Sequence, residues 1–178
     1  MKQSQQGFTL IELLVVISII GLLASVILVA LNGARIKARD AKRIADLHQI
    51  ATALELYAED HNGSYPPSGC GYDCNGYDYS FDSTTWNALQ TALAPYMSKL
   101  PADPINSACA PWTTGCYSYT YGNVGNTTYT PQYDLTTQLE DQNSSYRCTA
   151  RHYVFYFNGS IQWCVNSYSG QIYEASPQ

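Results

Sequence analysis

A chain of 178 residues has room for one modest core beside a specialised terminal segment. Its net charge of −5 hides an uneven split: Arg35, Lys37, Arg39, Lys42 and Arg43 stand together with only Asp40 among them, whereas from Ile44 onward the acids face just Lys99, Arg147 and Arg151. That acidic, tyrosine-rich body excludes nucleic acid as a default partner, because phosphate contacts need clustered lysine and arginine.

The first element is a predominantly apolar run from Phe8 to Leu31. As a helix it spans about 36 Å at about 1.5 Å per residue, enough for a bilayer core of about 30 Å. It is too long for an ordinary secretory signal, and no small-residue cleavage site follows it. The reading is a membrane-spanning helix. Two features strain that reading in its plain form. The basic residues crowd the far side of the span although the body looks exported, against the tendency of Lys and Arg to stay cytoplasmic. Glu12 also lies inside the run, where a carboxylate near a helix centre costs roughly 2.5–3.5 kcal/mol and calls for a partner.

The string Gly7-Phe8-Thr9-Leu10-Ile11-Glu12, with the apolar run after it, resembles the class III signal of type IV pilins and type II secretion pseudopilins. The resemblance implies cleavage between Gly7 and Phe8 by a membrane-embedded prepilin peptidase and methylation of the new Phe8 amine. It further implies that Glu12 pairs with the Phe8 amine of a neighbouring subunit as helices stack into a filament on an inner-membrane assembly platform. An opposite charge beside a helix N-terminus in a low-dielectric setting is physically favourable. The alternative is that Glu12 bonds the free N–H groups or the amine of its own helix. Ser18, Gly21 and Ser25 put small groups about one turn apart, which lets helices approach. Val29 stands where many filament-forming pilins have proline, a departure toward the pseudopilins and related pilins that lack it.

Beyond the basic band, Ala41, Ile44, Leu47, Ala51, Leu54 and Ala58 recur at helical spacing. One helix is expected from Phe8 to Asp60, its second half lying on a sheet. Asn62-Gly63-Ser64-Tyr65-Pro66-Pro67 ends it and matches the family's G-x-Y-P. Residues 68–83 read as a loop. A short helix carries Trp86, Leu89, Leu93 and Met97, and Leu100-Pro101-Ala102-Asp103-Pro104 follows, either a rigid turn or the L-P-x-D-P of major pseudopilins. Strands are expected over residues 116–121, 129–139, 152–157 and 160–165, with Asn158-Gly159 turning the last pair. Tyr133-Asp134-Leu135 resembles the family's Y-D-L.

All six cysteines lie in the second half, which suits disulfides in an oxidising compartment. Spacing favours the local pairs Cys70 with Cys74, Cys109 with Cys116, and Cys148 with Cys164, and it does not suit zinc. No cofactor is expected. The calcium loop of major pseudopilins is not recognisable, and Glu140-Asp141-Gln142-Asn143-Ser144-Ser145 offers oxygen donors without its pattern, so calcium is left open and unsupported. The three histidines are scattered and no catalytic constellation appears, so the chain is not read as an enzyme.

The expectation is an α+β, pilin-like fold: a long N-terminal helix packed on a small antiparallel sheet. Residues 1–7 are the leader, 8–31 the membrane and filament-core helix, 32–60 its amphipathic half, and 61–178 a disulfide-stapled head. The subunit sits first as a single span in the inner membrane and then in an extracytoplasmic filament, a homopolymer of either a type IV pilus or a secretion pseudopilus. The competing reading is a minor pilin whose tyrosine-rich loops bind a surface or ligand.

Overall fold

In the computed structural model of the chain, the described residues are 9–69, 76–111, 113, 115–123, 133–141, 143–146 and 172–174. The elements run α1 (Leu10–Asp60), β1 (Tyr77–Tyr79), α2 (Ser83–Leu93), β2 (Tyr119–Asn123), β3 (Tyr133–Gln138) and β4 (Ile172–Glu174). The architecture is α+β and pilin-like, as the family resemblance implied. The chain divides into two units, residues 1–38 and 39–178, and α1 contributes to both.

In the first unit α1 carries its large apolar side chains in the open. From Leu10 to Leu31 they are 42–79 % exposed. A helix that is apolar on every side belongs in lipid or among other apolar helices, because water cannot favour any one of its faces. By length and composition this helix can cross a membrane.

In the second unit the helix is amphipathic. It buries Leu47, Ile50, Ala53, Leu54 and Ala58, while Ala41, expected on that stripe, faces solvent. The same face also buries Asp40, Arg43 and Asp46, so the hydrophobic period gives way to charge over its first turns. Helix α1 ends where the backbone turns left-handed at Asn62 (φ 55°) and Gly63 (φ 79°), and the Gly63 N–H donates to the Ala58 carbonyl at 2.8 Å. That six-to-one closure satisfies a carbonyl the helix would otherwise leave bare.

The sheet is antiparallel in the order β1-β2-β3-β4. Register sets Tyr121 opposite Leu135 and Tyr119 opposite Thr137, with Asp78 beside Tyr121. Leu47, Ile50, Leu54, Trp86, Leu89, Leu93, Tyr119, Tyr121, Tyr133 and Leu135 form the core. Residues on the other face, Tyr79, Thr120, Thr136 and Gln138, are also buried, so β3 is covered on both sides and lacks the inside–outside alternation of a half-exposed strand.

Several elements differ from the sequence-based expectation. Residues 68–83 contain β1, a strand too short to show a period. Helix α2, capped by Asp82 accepting the Thr84 N–H at 3.0 Å, stops at Leu93, short of Met97. Strand β2 begins at Tyr119 because Cys116 is bonded to Cys109, and Ser118 Oγ donates to the Cys109 carbonyl. Strand β3 starts at Tyr133; residues 129–132 lie outside the described residues, as do the two strands and Asn158-Gly159 turn expected over 152–165. Strand β4 had no counterpart in the patterning.

Candidate functional site

The first candidate position is the start of α1. Thr9 precedes the helix and Glu12 stands at its third residue, the spacing of a capping box. Both reciprocal arms form: the Thr9 N–H and hydroxyl donate to Glu12 Oε2 at 2.8 and 2.7 Å, and the Glu12 N–H donates to Thr9 Oγ1 at 3.3 Å. In the isolated chain Glu12 is therefore held by its own helix, the alternative weighed above. Ser18 and Ser25 return their hydroxyls to the Val15 and Leu22 carbonyls, so neither brings an unpaired polar atom to the apolar surface. Gly7 and Phe8 lie outside the described residues.

The second is a charge cluster where α1 enters the head. Arg43 is completely buried. Its Nε donates to Asp103 Oδ2 at 2.6 Å and its Nη2 to Asp103 Oδ1 at 3.1 Å. Its Nη1 donates to Asp40 at 2.7 Å and to Glu140 at 2.5 Å, and its guanidinium lies 4.8 Å from the Tyr117 ring centroid. The carboxylates are held in turn. Asp40 accepts the backbone N–H groups of Glu140 and Asp141 at 2.9 and 2.8 Å. Asp103 Oδ1 accepts those of Ile105 and Asn106. Glu140 also receives Arg39 Nε at 2.7 Å. Burial alone would push the Glu140 carboxyl up, but its hydrogen bonds from Arg39 and Arg43 outweigh that and hold it below the usual range. Burial likewise opposes the charge on Arg43, and its partners, Asp103 first, more than restore it.

A second clamp sits further along α1. The Tyr65 hydroxyl lies 3.1–3.2 Å from both Glu55 oxygens, and the Tyr133 hydroxyl donates to Glu55 Oε1 at 3.2 Å. Burial first, and then the Glu55 charge, pushes the Tyr65 hydroxyl up to about 12. Tyr119 donates to Asp46 at 2.8 Å, and burial followed by that bond raises its pKa too. These contacts account for all three head motifs. The tyrosine of G-x-Y-P binds Glu55, the aspartate of L-P-x-D-P binds Arg43, and Y-D-L divides its work: Tyr133 reaches Glu55, Asp134 accepts the Tyr77 hydroxyl at 3.0 Å, and Leu135 fills the core.

Of the cysteines, Cys109 and Cys116 are bridged as their spacing suggested, while Cys70, Cys74, Cys148 and Cys164 lie outside the described residues. Gln138 of β3 fastens the bridged loop: its Nε2 donates to the Pro111 and Thr113 carbonyls and its Oε1 accepts the Gly115 N–H at 2.8 Å. Among the described residues no group of side chains is assembled to hold a metal ion. Glu140, one of the oxygen donors noted in the sequence, is directed at Arg39 and Arg43 instead.

Sequence reasoning placed this disulfide, but it took Arg39 to Arg43 as a membrane-flanking band. Asp40, Arg43, Asp46 and Leu47 share one helical stripe, and that spacing was the available signal for buried charge.

Residues 2–28 match the family model described as the prokaryotic N-terminal methylation motif. The chain is 37% identical over 105 residues to the type II secretion system core protein G of Klebsiella pneumoniae, covering 59% of this chain and 72% of that protein. It is 36% identical over 102 residues to the protein of the same name from Escherichia coli K12, covering 56% and 66%. With that of Pseudomonas aeruginosa the identity is 31% over 130 residues, 70% of this chain and 87% of the relative. No solved structure matches.

Proposed function

Since the chain belongs to the family of the type II secretion system core protein G, we propose that it is a structural subunit of a secretion pseudopilus that polymerises through α1. The observation that carries this reading is the first half of that helix. It is apolar on all sides, carries its large apolar side chains exposed, and bears one carboxylate in its first turn. Such a surface is satisfied first by lipid and then by copies of itself, with the carboxylate limiting which register the copies adopt.

The proposed sequence of events begins in the inner membrane, where a prepilin peptidase cuts between Gly7 and Phe8 and methylates the Phe8 amine. Cleavage leaves a cation at the positive end of the helix, four residues from Glu12. In the filament the Glu12 carboxylate passes from Thr9 to the Phe8 amine of a neighbour. The head, stapled by Cys109–Cys116 and by proposed bridges Cys70–Cys74 and Cys148–Cys164, then faces the exterior. The names of the relatives support a secretion pseudopilus over a pilus.

The test is an intact mass, reduced and unreduced, of the protein in sheared surface material, with Glu12→Ala compared beside it. A mass lacking Met1 to Gly7, with one added methyl and a gain of hydrogens on reduction, is expected in the wild type. Glu12→Ala should insert in the membrane but give little filament. Full-length protein confined to the membrane would overturn the reading, and wild-type filament yield from Glu12→Ala would remove the carboxylate from it.

A further inference from the structure

Asp78, the central residue of β1, is a buried acid that none of the contacts above employs. It is 1 % exposed. Among the described residues its carboxylate takes one hydrogen bond, from the Gly69 N–H to Oδ1 at 2.8 Å, and joins no salt bridge. The contrast with Asp40, Asp46 and Asp103 is sharp, since each of those meets a cation.

Among the described residues its surroundings add no positive charge. From α2 the N-capping Asp82 presents a like charge, and from β2 the facing titratable group is Tyr121, whose hydroxyl donates to the Pro66 carbonyl. The Tyr65–Gly69 segment brings only Tyr65, which is engaged with Glu55. Thr85 packs its methyl 3.3 Å from the place a Gly69 side chain would take, beside Asp78 Oδ1 at 3.4 Å from the same point, and among the described residues its buried hydroxyl has no hydrogen-bond partner. Among the described residues a charged Asp78 thus depends on a single amide, that of Gly69, the last residue of a stretch whose other hydrogen bonds go to Tyr121 and Asn123 of β2.

We propose that Asp78 is a proton-operated latch: neutral, it keeps Gly69 seated on β1, and ionised, it favours the release of Gly69, while Tyr65–Ser68 stay bonded to Tyr121 and Asn123 of β2. The hydrogen bond from Gly69 by itself favours the ionised form, but burial and the Asp82 charge oppose it and prevail, moving the carboxyl up to about 6. The sign follows from linkage. The closed state binds the proton more tightly than an opened one, in which the carboxyl is hydrated and titrates near its usual value of about 4, so closure is strongest in acid and weakens as pH rises through the interval between the two values. A mildly acidic exterior tightens this edge of the head, and a neutral one loosens it.

Hydrogen exchange on the full-length protein in detergent, read at Gly69 and residues 77–79 and corrected for the intrinsic pH dependence of exchange, tests the latch. Wild-type protection should fall at least about tenfold between about pH 4.5 and 7, while Asp78→Asn, permanently neutral, should keep its protection across that range. A parallel loss in both proteins would overturn the proposal. Should Asp78→Asn fail to fold, carbon-detected titration of wild-type Asp78 decides instead: a midpoint near 6 supports the latch, and one near 4 removes it.

Discussion

Arg43 and Asp103, 60 residues apart in the chain, form a two-point ion pair with both side chains wholly shielded from water. A planar guanidinium fits a carboxylate in this way where an ammonium cannot. The pairing fixes the turn that follows α2 to the helix that precedes it.

Arg43→Met should therefore be costly. It leaves Asp103, Asp40 and Glu140 without their shared cation, and removing one partner of a buried pair costs about 3–5 kcal/mol. Denaturant unfolding of the full chain in detergent should show that loss. Arg43→Lys should recover only part of it, because one ammonium cannot engage three carboxylates in the same geometry. A loss below about 1 kcal/mol for Arg43→Met would class the cluster with ordinary surface pairs.

Acid should act on the same cluster. The folded Glu140 carboxyl lies below its unfolded value, so its contribution is fully present above the usual carboxylate pKa and is lost as pH falls through the folded one. Stability of the wild type should decline below about pH 4.5. Glu140→Gln should start lower and decline less steeply; equal slopes in the two proteins would show that Glu140 does not carry this linkage.

Gly122 lies under the Tyr77 ring. A Cβ built there stands within 2.5 Å of two ring atoms, closer than side-chain carbons approach one another. Gly122→Ala should cost about 1–3 kcal/mol through forced displacement of the ring and should break the Tyr77–Asp134 hydrogen bond. Combining it with Tyr77→Ala should give less than the sum of the two single losses. Simple additivity would show that the ring moves aside freely.

The Cys109–Cys116 bridge closes a short loop, and chain entropy assigns such a closure about 2–3 kcal/mol. Replacing both cysteines with serine should cost that much or less, since Gln138 still grips the loop from β3. Adding Gln138→Ala should cost more in the serine variant than in the bridged protein. Identical costs in the two backgrounds would show that bridge and glutamine act separately.

The sequence made the long helix legible because its composition is extreme and its first turn carries a specific string of residues. It made the Trp86 helix and the strand at Tyr133 legible through ordinary periodicity. Strands β1 and β4 escaped because three residues cannot display a period. The charge cluster escaped for a different reason. Arginines after an apolar span are read as solvated until tertiary partners are known, and Asp103 and Glu140 lie far along the chain. Glu55, likewise, looks like a surface acid until the Tyr65 and Tyr133 hydroxyls are seen to converge on it.

The reciprocal bonding of Thr9 and Glu12 sets the energetics of the proposed polymer. An incoming amine does not meet a bare charge; it displaces a hydroxyl and an amide already in place. Only the difference between the old contacts and the new one is available to drive docking at this position. When a subunit leaves, Glu12 can close on Thr9 again, so the carboxylate recovers its hydrogen bonds while the amine gives up its counter-ion. On the proposed assembly, bond exchange of this kind would make Glu12 selective about alignment: a neighbour out of register would disturb the Thr9 contacts and return nothing for them.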